Sequence, residues 1–372
     1  MKDTWFQRYL LPGLVFQSAI IAGAYGSGRE LAQFFLPFGP RGGLAGMAVT
    51  TLVFSVVLAA SFELARRFQL FDYRSFMKKL LGPAWPLYEV LYLLLMLLVI
   101  SVIGASAGEI MRDTFRVPTI VGIVGIMVLI AVLVFYGTPA VERFFAVWSL
   151  VLYTAYLVFF GWNMLQHSGA IAANLTTIDT RPGWFGSGLA YAGYNVAMVP
   201  ILLFCIRHLH TRREAITAGL LGGPIAMIPA MLFFVAMIGQ YQTLSGAADE
   251  VLPVTVLLNA ITGAGAGLFG YLFPLVLFGT FVETGTAMIH GVNERIDHAL
   301  RERGRSLSPW LRAAIAVAIL LSAIVIADIV GLTELVARGY GVITYGFLLV
   351  FVLPVMTIGI WRLWKLEREA SS

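Results

Sequence analysis

Ten apolar stretches of roughly 20 residues or more follow one another along this chain, with short polar segments between them. They lie near residues 8–37, 43–66, 84–111, 118–136, 140–166, 187–207, 213–240, 266–298, 309–328 and 332–361. A helix crosses the hydrocarbon of a bilayer in about 20 residues. In lipid the backbone must satisfy its own hydrogen bonds, which a helix does within one segment. The pattern predicts an all-α membrane protein of ten transmembrane helices, numbered spans 1 to 10 below. Of 372 residues, 59% are hydrophobic and 12% charged, against about 25% charged in a soluble domain. No hydrophilic stretch is long enough for a separate soluble unit, so residues 1–372 read as a single transmembrane domain. One further apolar piece, 251–262, is too short to span. It follows Asp249 and Glu250 and contains Pro253, which predicts a helical cap over the outer face.

Basic residues set the orientation. With the N-terminus placed in the cytoplasm, nineteen of the twenty-five Lys and Arg residues fall on inner segments, including Arg66, Arg207, Arg295 and Arg312. Five fall on outer ones: Arg41, Arg112, Arg116, Arg181 and Arg338. Arg29 lies inside span 1. This bias predicts both termini in the cytoplasm, and an even span count agrees with it. The net charge of +5 is thereby a topology signal, not a nucleic-acid one. The N-terminus does not read as a cleavable signal peptide, because its apolar run is too long and no small-residue cleavage site closes it.

Span 1 interrupts itself. Its middle reads Gly23-Ala24-Tyr25-Gly26-Ser27-Gly28-Arg29-Glu30, where glycine weakens a helix by about 1 kcal/mol per residue relative to alanine. Non-helical backbone at membrane depth persists only where protein or a water-filled site encloses it. Splitting the chain at the outer loop 167–186 gives two halves of five spans, about 8–166 and 187–361, which must be inverted relative to each other. Span 6, the first of the second half, is also punctuated: Tyr191-Ala192-Gly193-Tyr194-Asn195, then Pro200. Paired discontinuous helices in inverted halves are a transporter pattern, for which LeuT is a known example. The break frees carbonyls before it and N–H groups after it. The N–H groups of Ser27 and Gly28, with the Ser27 hydroxyl, suit a carboxylate at the positive end of the outer half-helix. The broken segment Ala24, Tyr25, Gly26, Ser27, Gly28 and Arg29, with Tyr191, Tyr194 and Asn195, is the predicted solute site.

Tyr25-Gly26-Ser27-Gly28-Arg29-Glu30, followed by Gln33-Phe34-Phe35, resembles the first helix of YkvI-type bacterial membrane proteins. That family resembles the amino acid–polyamine–organocation transporter superfamily with its LeuT-like core. Arg29 departs from the family's usual Gln or Lys. The resemblance implies a LeuT-like 5+5 inverted repeat with helices 1 and 6 broken, in a bacterial plasma (inner) membrane. It also implies that span 8 contacts the break in span 1.

Span 8 carries Thr280, Glu283 and Thr284 at i, i+3 and i+4, on one helix face. A carboxylate near mid-span costs roughly 2.5–3.5 kcal/mol on insertion scales, so Glu283 should be paired with a cation or protonated. By the resemblance, the carbonyls of Ala22 and Tyr25 face Thr280, Glu283 and Thr284 around a Na+ ion, for which oxygen ligands are suited. Glu283 is equally read as carrying the coupling proton, or as hydrogen-bonded to a neighbouring helix. The resemblance further implies an outer gate between spans 1 and 10, Glu30 with Arg338, while Arg29 partners Glu109 or an anionic solute group.

Several classes are excluded. A lone Cys205 allows no internal disulfide, and no nucleotide-binding loop, histidine cluster or Ser-His-Asp set occurs. No cofactor is expected beyond Na+. The expected function is secondary active transport of a small solute across the lipid bilayer, an amino acid or related carboxylate-bearing metabolite, coupled to Na+ or H+ by alternating access. A transporter-like ligand sensor without turnover is the alternative, with a membrane-embedded enzyme behind it.

Overall fold

A computed structural model describes residues 4–21, 26–246, 253–330 and 343–371. Among the described residues all regular structure is helical. Among the described residues eight helices are long and apolar enough to cross a membrane, and two apolar helices are shorter, Leu11–Ile20 and one beginning at Pro309. Large apolar side chains are exposed along spans 3, 4, 5 and 9, among them Leu94, Val128, Leu150 and Leu321. A surface that apolar fits lipid, not water. Burial separates the centre from the rim: the apolar window of span 6 is 89% buried and that of span 8 is 83%, against 22% for span 4.

Span 1 is the element around which the others pack. A short helix, Trp5–Tyr9, is closed by a capping box in which Thr4 and Gln7 satisfy each other's amides. The inner half-helix Leu11–Ile20 follows, every residue of it buried, in contact with spans 5, 6, 7 and 8. The helix resumes as Arg29–Phe34, entered through Gly28 at φ +81°, a left-handed turn that glycine adopts without a Cβ penalty. Pro37 then ends it in a 3-10 turn, Leu36–Phe38, and span 2 begins at Gly39.

Span 6 changes helix type without unwinding. Trp184–Asn195 is α-helical, and Val196–His208 continues as a 3-10 helix, far longer than the 3–4 residues common for that form. Pro200 has no N–H to give the carbonyl three residues back, and the Tyr88 hydroxyl of span 3 donates to that carbonyl, Ala197 O, at 2.7 Å instead. Span 10 is likewise irregular, with π-helical turns at Leu348–Val352 and Val355–Gly359. The expected cap appears as a helix, Pro253–Ala260, lying against spans 7 and 8.

The outer loop expected over 167–186 is a correction. Span 5 runs Thr138–Thr177, with non-helical backbone at His167 (φ −123°, ψ 15°). Residues 168–177 are too small and polar to read as membrane helix, yet they pack. Ile171 lies against Gly239, and Asn174 Nδ2 donates to Ile238 O at 2.7 Å.

Ion pairs gather at one end of spans 1, 3, 6, 7, 8 and 9. Arg8 meets Glu214 at 2.9 Å, Arg295 meets Glu89 at 2.7 Å, and Arg207 of span 6 meets Glu294 of span 8 at 3.1 Å. Arg312 reaches both Glu294 and Asp297 at 3.1 Å.

Spans 2 and 7 make the closest crossing, through Gly219, Gly222 and Gly223. A Cβ on Gly219 would meet the backbone of Ala59. Gly219→Val should therefore cost about 1–3 kcal/mol and lower the thermal unfolding midpoint in detergent. Gly186→Ala, where a Cβ meets nothing within 4 Å, should leave it unchanged or slightly raised.

Candidate functional site

The inner half of span 1 stops at Ile20 in the middle of the protein. The last carbonyls of any helix lack intrahelical partners, and here they cannot reach water. Ile21 N closes one bond to Gln17 O at 3.0 Å. Span 8 supplies the next. The Thr284 hydroxyl lies 2.9 Å from both Ser18 O and Ile21 O, so its one proton is shared between two carbonyls. One turn of span 8 places Glu283 beside it, fully buried, with Oε1 accepting from Ser18 Oγ at 2.8 Å. Ser149 of span 5 stands 3.1 Å from the same Ser18 hydroxyl. Oε2 of Glu283 has no hydrogen bond among the described residues. Spans 1, 5 and 8 thus converge on a nest of oxygen atoms with one carboxyl at its centre, a donor set that suits a hard cation or a proton.

The expected ligands are placed as follows. Glu283 and Thr284 face span 1. Thr280 is buried but donates to Val276 O of its own helix at 2.7 Å. Ala22 and Tyr25, whose carbonyls were expected here, lie outside the described residues, as does Ala24. The carbonyls that Thr284 reaches are those of Ser18 and Ile21. Ser18 was missed by sequence reasoning. Its signal is visible in hindsight as Gln17-Ser18, two polar residues inside an otherwise apolar run.

A small cavity opens on the other side of the same helix end. Ala19 and Ile20 of span 1, Leu95 and Val99 of span 3, and Met198 of span 6 form its apolar wall, with Glu30, Tyr194 and Asn195 as its polar part. Its volume, about 20 Å3, holds roughly one water-sized group. Glu30 is 5% exposed, and its polar neighbours are the hydroxyls of Tyr194 and Tyr191. Both tyrosines pack against Phe34, with ring centroids 5.9 and 5.4 Å away. Asn195 Nδ2 donates to Tyr191 O at 2.9 Å.

The remaining solute-site residues turn elsewhere. Gly26 packs on Leu277 and Phe281 of span 8. Ser27 and Gly28 are covered by the cap helix: Val254 N donates to Ser27 O at 3.0 Å, and Pro253 and Phe233 close over Gly28. The outer half-helix is six residues long, too short to carry the expected anion site at its positive end. Arg29 is exposed, and it makes no ion pair with Glu109 among the described residues. The reason is rotational: consecutive residues sit about 100° apart on a helix, and burying Glu30 turns Arg29 outward. The charge beside Glu109 is Arg112, one turn further on. Arg338, the expected partner of Glu30, lies outside the described residues. Glu30 itself lines the cavity.

This architecture matches solved structures. A Na+-coupled sialic acid symporter, in a substrate-bound outward-open state, superposes with a TM-score of 0.67 at 12% identity, covering 94% of this chain and 78% of its own. MhsT in complex with L-phenylalanine gives 0.64 at 14% identity, covering 95% and 88%. The Eremococcus coleocola manganese transporter gives 0.62 at 14% identity, covering 94% and 78%. The chain has the LeuT fold. No protein-family model and no curated protein sequence matches it. Here the end of the inner half-helix of span 1 and the α-to-3-10 change in span 6 border one cavity, through Ala19 and Ile20 on one side and Asn195 and Met198 on the other.

Thr284→Val removes the hydroxyl that serves two buried carbonyls. The expected loss is about 1–3 kcal/mol of stability, read as a lower unfolding midpoint. Thr284→Ser, which keeps the donor, should recover most of it.

Proposed function

We propose that this protein is a secondary active transporter that moves a small solute by alternating access, driven by Na+ or H+. The observation that carries the reading is the oxygen nest at the break of span 1. A buried carboxyl, three hydroxyl-bearing side chains and two carbonyls meet there between helices that LeuT-fold transporters move relative to each other. A carboxyl buried that deeply is costly unless a cation or a proton neutralises it, so the nest ties ion occupancy to the packing of span 1 on span 8. The structural neighbours support this, since they include a Na+-coupled sialic acid symporter and MhsT in complex with L-phenylalanine. An amino acid or related metabolite is the first solute class to test. The span 1 motif supports a YkvI-type member of the superfamily, in a bacterial inner membrane with both termini cytoplasmic. Residues 8–166 and 187–361 are read as its inverted repeats within one transmembrane domain.

In this reading spans 1 and 6 rock with their neighbours against spans 3, 4, 8 and 9. Two closures then stand in the way. On the outer side the cap helix is bonded to Ser27. On the cytoplasmic side Arg207 of span 6 is paired with Glu294 of span 8.

Reconstituted protein should accumulate solute under an imposed Na+ or H+ gradient and fail to do so without one. Binding with no accumulation under either gradient would identify a sensor. Glu283→Gln should fold and bind solute, yet lose ion-driven accumulation by about tenfold or more. Full ion-dependent uptake by that variant would remove Glu283 from the coupling step.

The single cysteine offers a probe of the inner closure. Cys205 is fully buried, two residues from Arg207. A partly exposed ion pair contributes about 0.5–1 kcal/mol, so Glu294→Gln should speed thiol labelling of Cys205 roughly two- to fivefold. An unchanged rate would show that this pair does not hold the inner face shut.

A further inference from the structure

We propose that the end of span 10, together with the short helix before span 3, is a binding surface for anionic phospholipid headgroups of the adjoining leaflet. The inference rests on the transmembrane reading of the chain and not on transport, the oxygen nest or the solute.

Span 10 continues past its apolar part into a last helix, Ile360–Ser371. Trp361, Trp364, Lys365 and Arg368 are spaced i, i+3, i+4 and i+7, which places them on one side of it. All four are exposed, the two indoles at 54% and 47%. Each cation lies over the ring one turn earlier: Lys365 Nζ is 5.7 Å from the centre of Trp361, and the Arg368 guanidinium 3.6 Å from that of Trp364. Leu363, on the other side, packs against the core. Tryptophans settle at the headgroup level of a bilayer, and basic groups beside them reach its phosphates. Toward the membrane the same span exposes Leu353, Ile358 and Ile360, a surface suited to acyl chains.

A second element brings charge to the same place. The helix Tyr73–Leu81 buries Tyr73, Phe76, Met77 and Leu80, and exposes Lys78 and Lys79. Asp72 caps it, accepting from Ser75 N at 2.9 Å. Its buried side packs on span 10, with the rings of Phe76 and Phe351 6.4 Å apart. A Cβ on Gly359 would stand 3.4 Å from Leu64 of span 2 and 3.7 Å from Leu80. Three segments therefore meet at that glycine, and each carries a cation within about one turn of the meeting point: Arg67 after Leu64, Lys78 and Lys79 before Leu80, and Arg362 after Gly359. Lys79 Nζ sits 4.2 Å over the ring of Phe68, the neighbour of Arg67.

Opposite charge is scarce here. Among the described residues Arg67, Lys78, Lys79 and Arg362 form no ion pair, whereas Arg66 is paired with Glu63 at 2.7 Å. Glu367 and Glu369 are the acids of the last helix, two against the six cations named. Lys and Arg gathered beside the end of a membrane helix attract anionic lipid. A ligand with a phosphate at one end and hydrocarbon at the other answers both the cations and the apolar flank, while a free phosphate answers only the cations. A headgroup held between the two helices would tie Tyr73–Leu81 to span 10. That helix also packs on the 3-10 stretch of span 6, so the lipid would steady three elements at once.

The test uses purified full-length protein and four probes: phosphatidylglycerol, cardiolipin, phosphatidylcholine, and glycerol 3-phosphate as a headgroup without acyl chains. Thermal unfolding in mixed micelles reads binding by mass action, and native mass spectrometry reads which lipid stays bound. Both anionic lipids should raise the midpoint and be retained over phosphatidylcholine, and the preference should shrink as salt is raised. Lys78→Gln with Arg362→Gln, one cation from each helix, should weaken anionic lipid about twentyfold. Arg303→Gln with Arg305→Gln, exposed cations between spans 8 and 9, should leave it unchanged. Equal retention of anionic lipid and phosphatidylcholine overturns the proposal. So does equal stabilisation by glycerol 3-phosphate, unaltered affinity in the Lys78 and Arg362 variant, or the same loss in the Arg303 and Arg305 variant. The comparison of lipids is made in the wild-type protein, so it stands even if the variants do not fold. Lipid retention is read without any solute gradient, so a failure of transport would leave this result in place.

Discussion

Carbonyls left bare at the end of a half-helix govern this molecule. Once span 1 stops at Ile20, its final turn cannot be hydrated and cannot continue its own ladder. Every element around it answers that need. Span 8 brings the Thr284 hydroxyl to Ser18 O and Ile21 O. Spans 5, 6 and 7 pack against the same half-helix. The all-round burial of the inner half-helix is thus a requirement of the interruption and not a separate property of the sequence.

The same half-helix end separates two buried carboxyls. Glu283 meets it on the side of Ser18, and Glu30 stands across the cavity from Ala19 and Ile20. Negative charge on both sides of the negative end of a helix dipole is unfavourable in isolation. Each carboxyl has hydroxyl donors beside it, Ser18 for Glu283 and Tyr194 and Tyr191 for Glu30. The two groups share one backbone element, which is a physical route for each to influence the other without direct contact.

Much of the architecture was legible because lipid simplifies the rules. Long apolar runs became helices, the glycine-rich break became a break, and the short segment around Pro253 became a cap. Where small polar residues form helix against protein, the rule misleads, and residues 168–177 were read as loop for that reason. The site was harder. Glu283 announced itself by its cost in the middle of span 8. Ser18 was less marked, because a serine in a membrane helix can bond its own backbone, and only its neighbour Gln17 sets it apart in the apolar run. Glu30 was read with Arg338 and Arg29 with Glu109 or an anionic solute group, but adjacent residues on a helix lie about 100° apart, and here Glu30 is buried while Arg29 is exposed. Which of the two turns inward was decided by packing of Phe34 on the tyrosines of span 6, a tertiary fact that no local pattern encodes.

The 3-10 stretch of span 6 has a consequence of length. Thirteen residues, Val196–His208, rise about 26 Å in that form and only about 20 Å as an α-helix. The segment therefore reaches roughly a full helical turn further than its residue count would otherwise allow. Rewinding half of it would draw Arg207 back by about 3 Å, beyond the span of its 3.1 Å contact with Glu294. Pitch and closure are in that sense one variable, and the Tyr88 hydroxyl that steadies the carbonyl opposite Pro200 helps to set both.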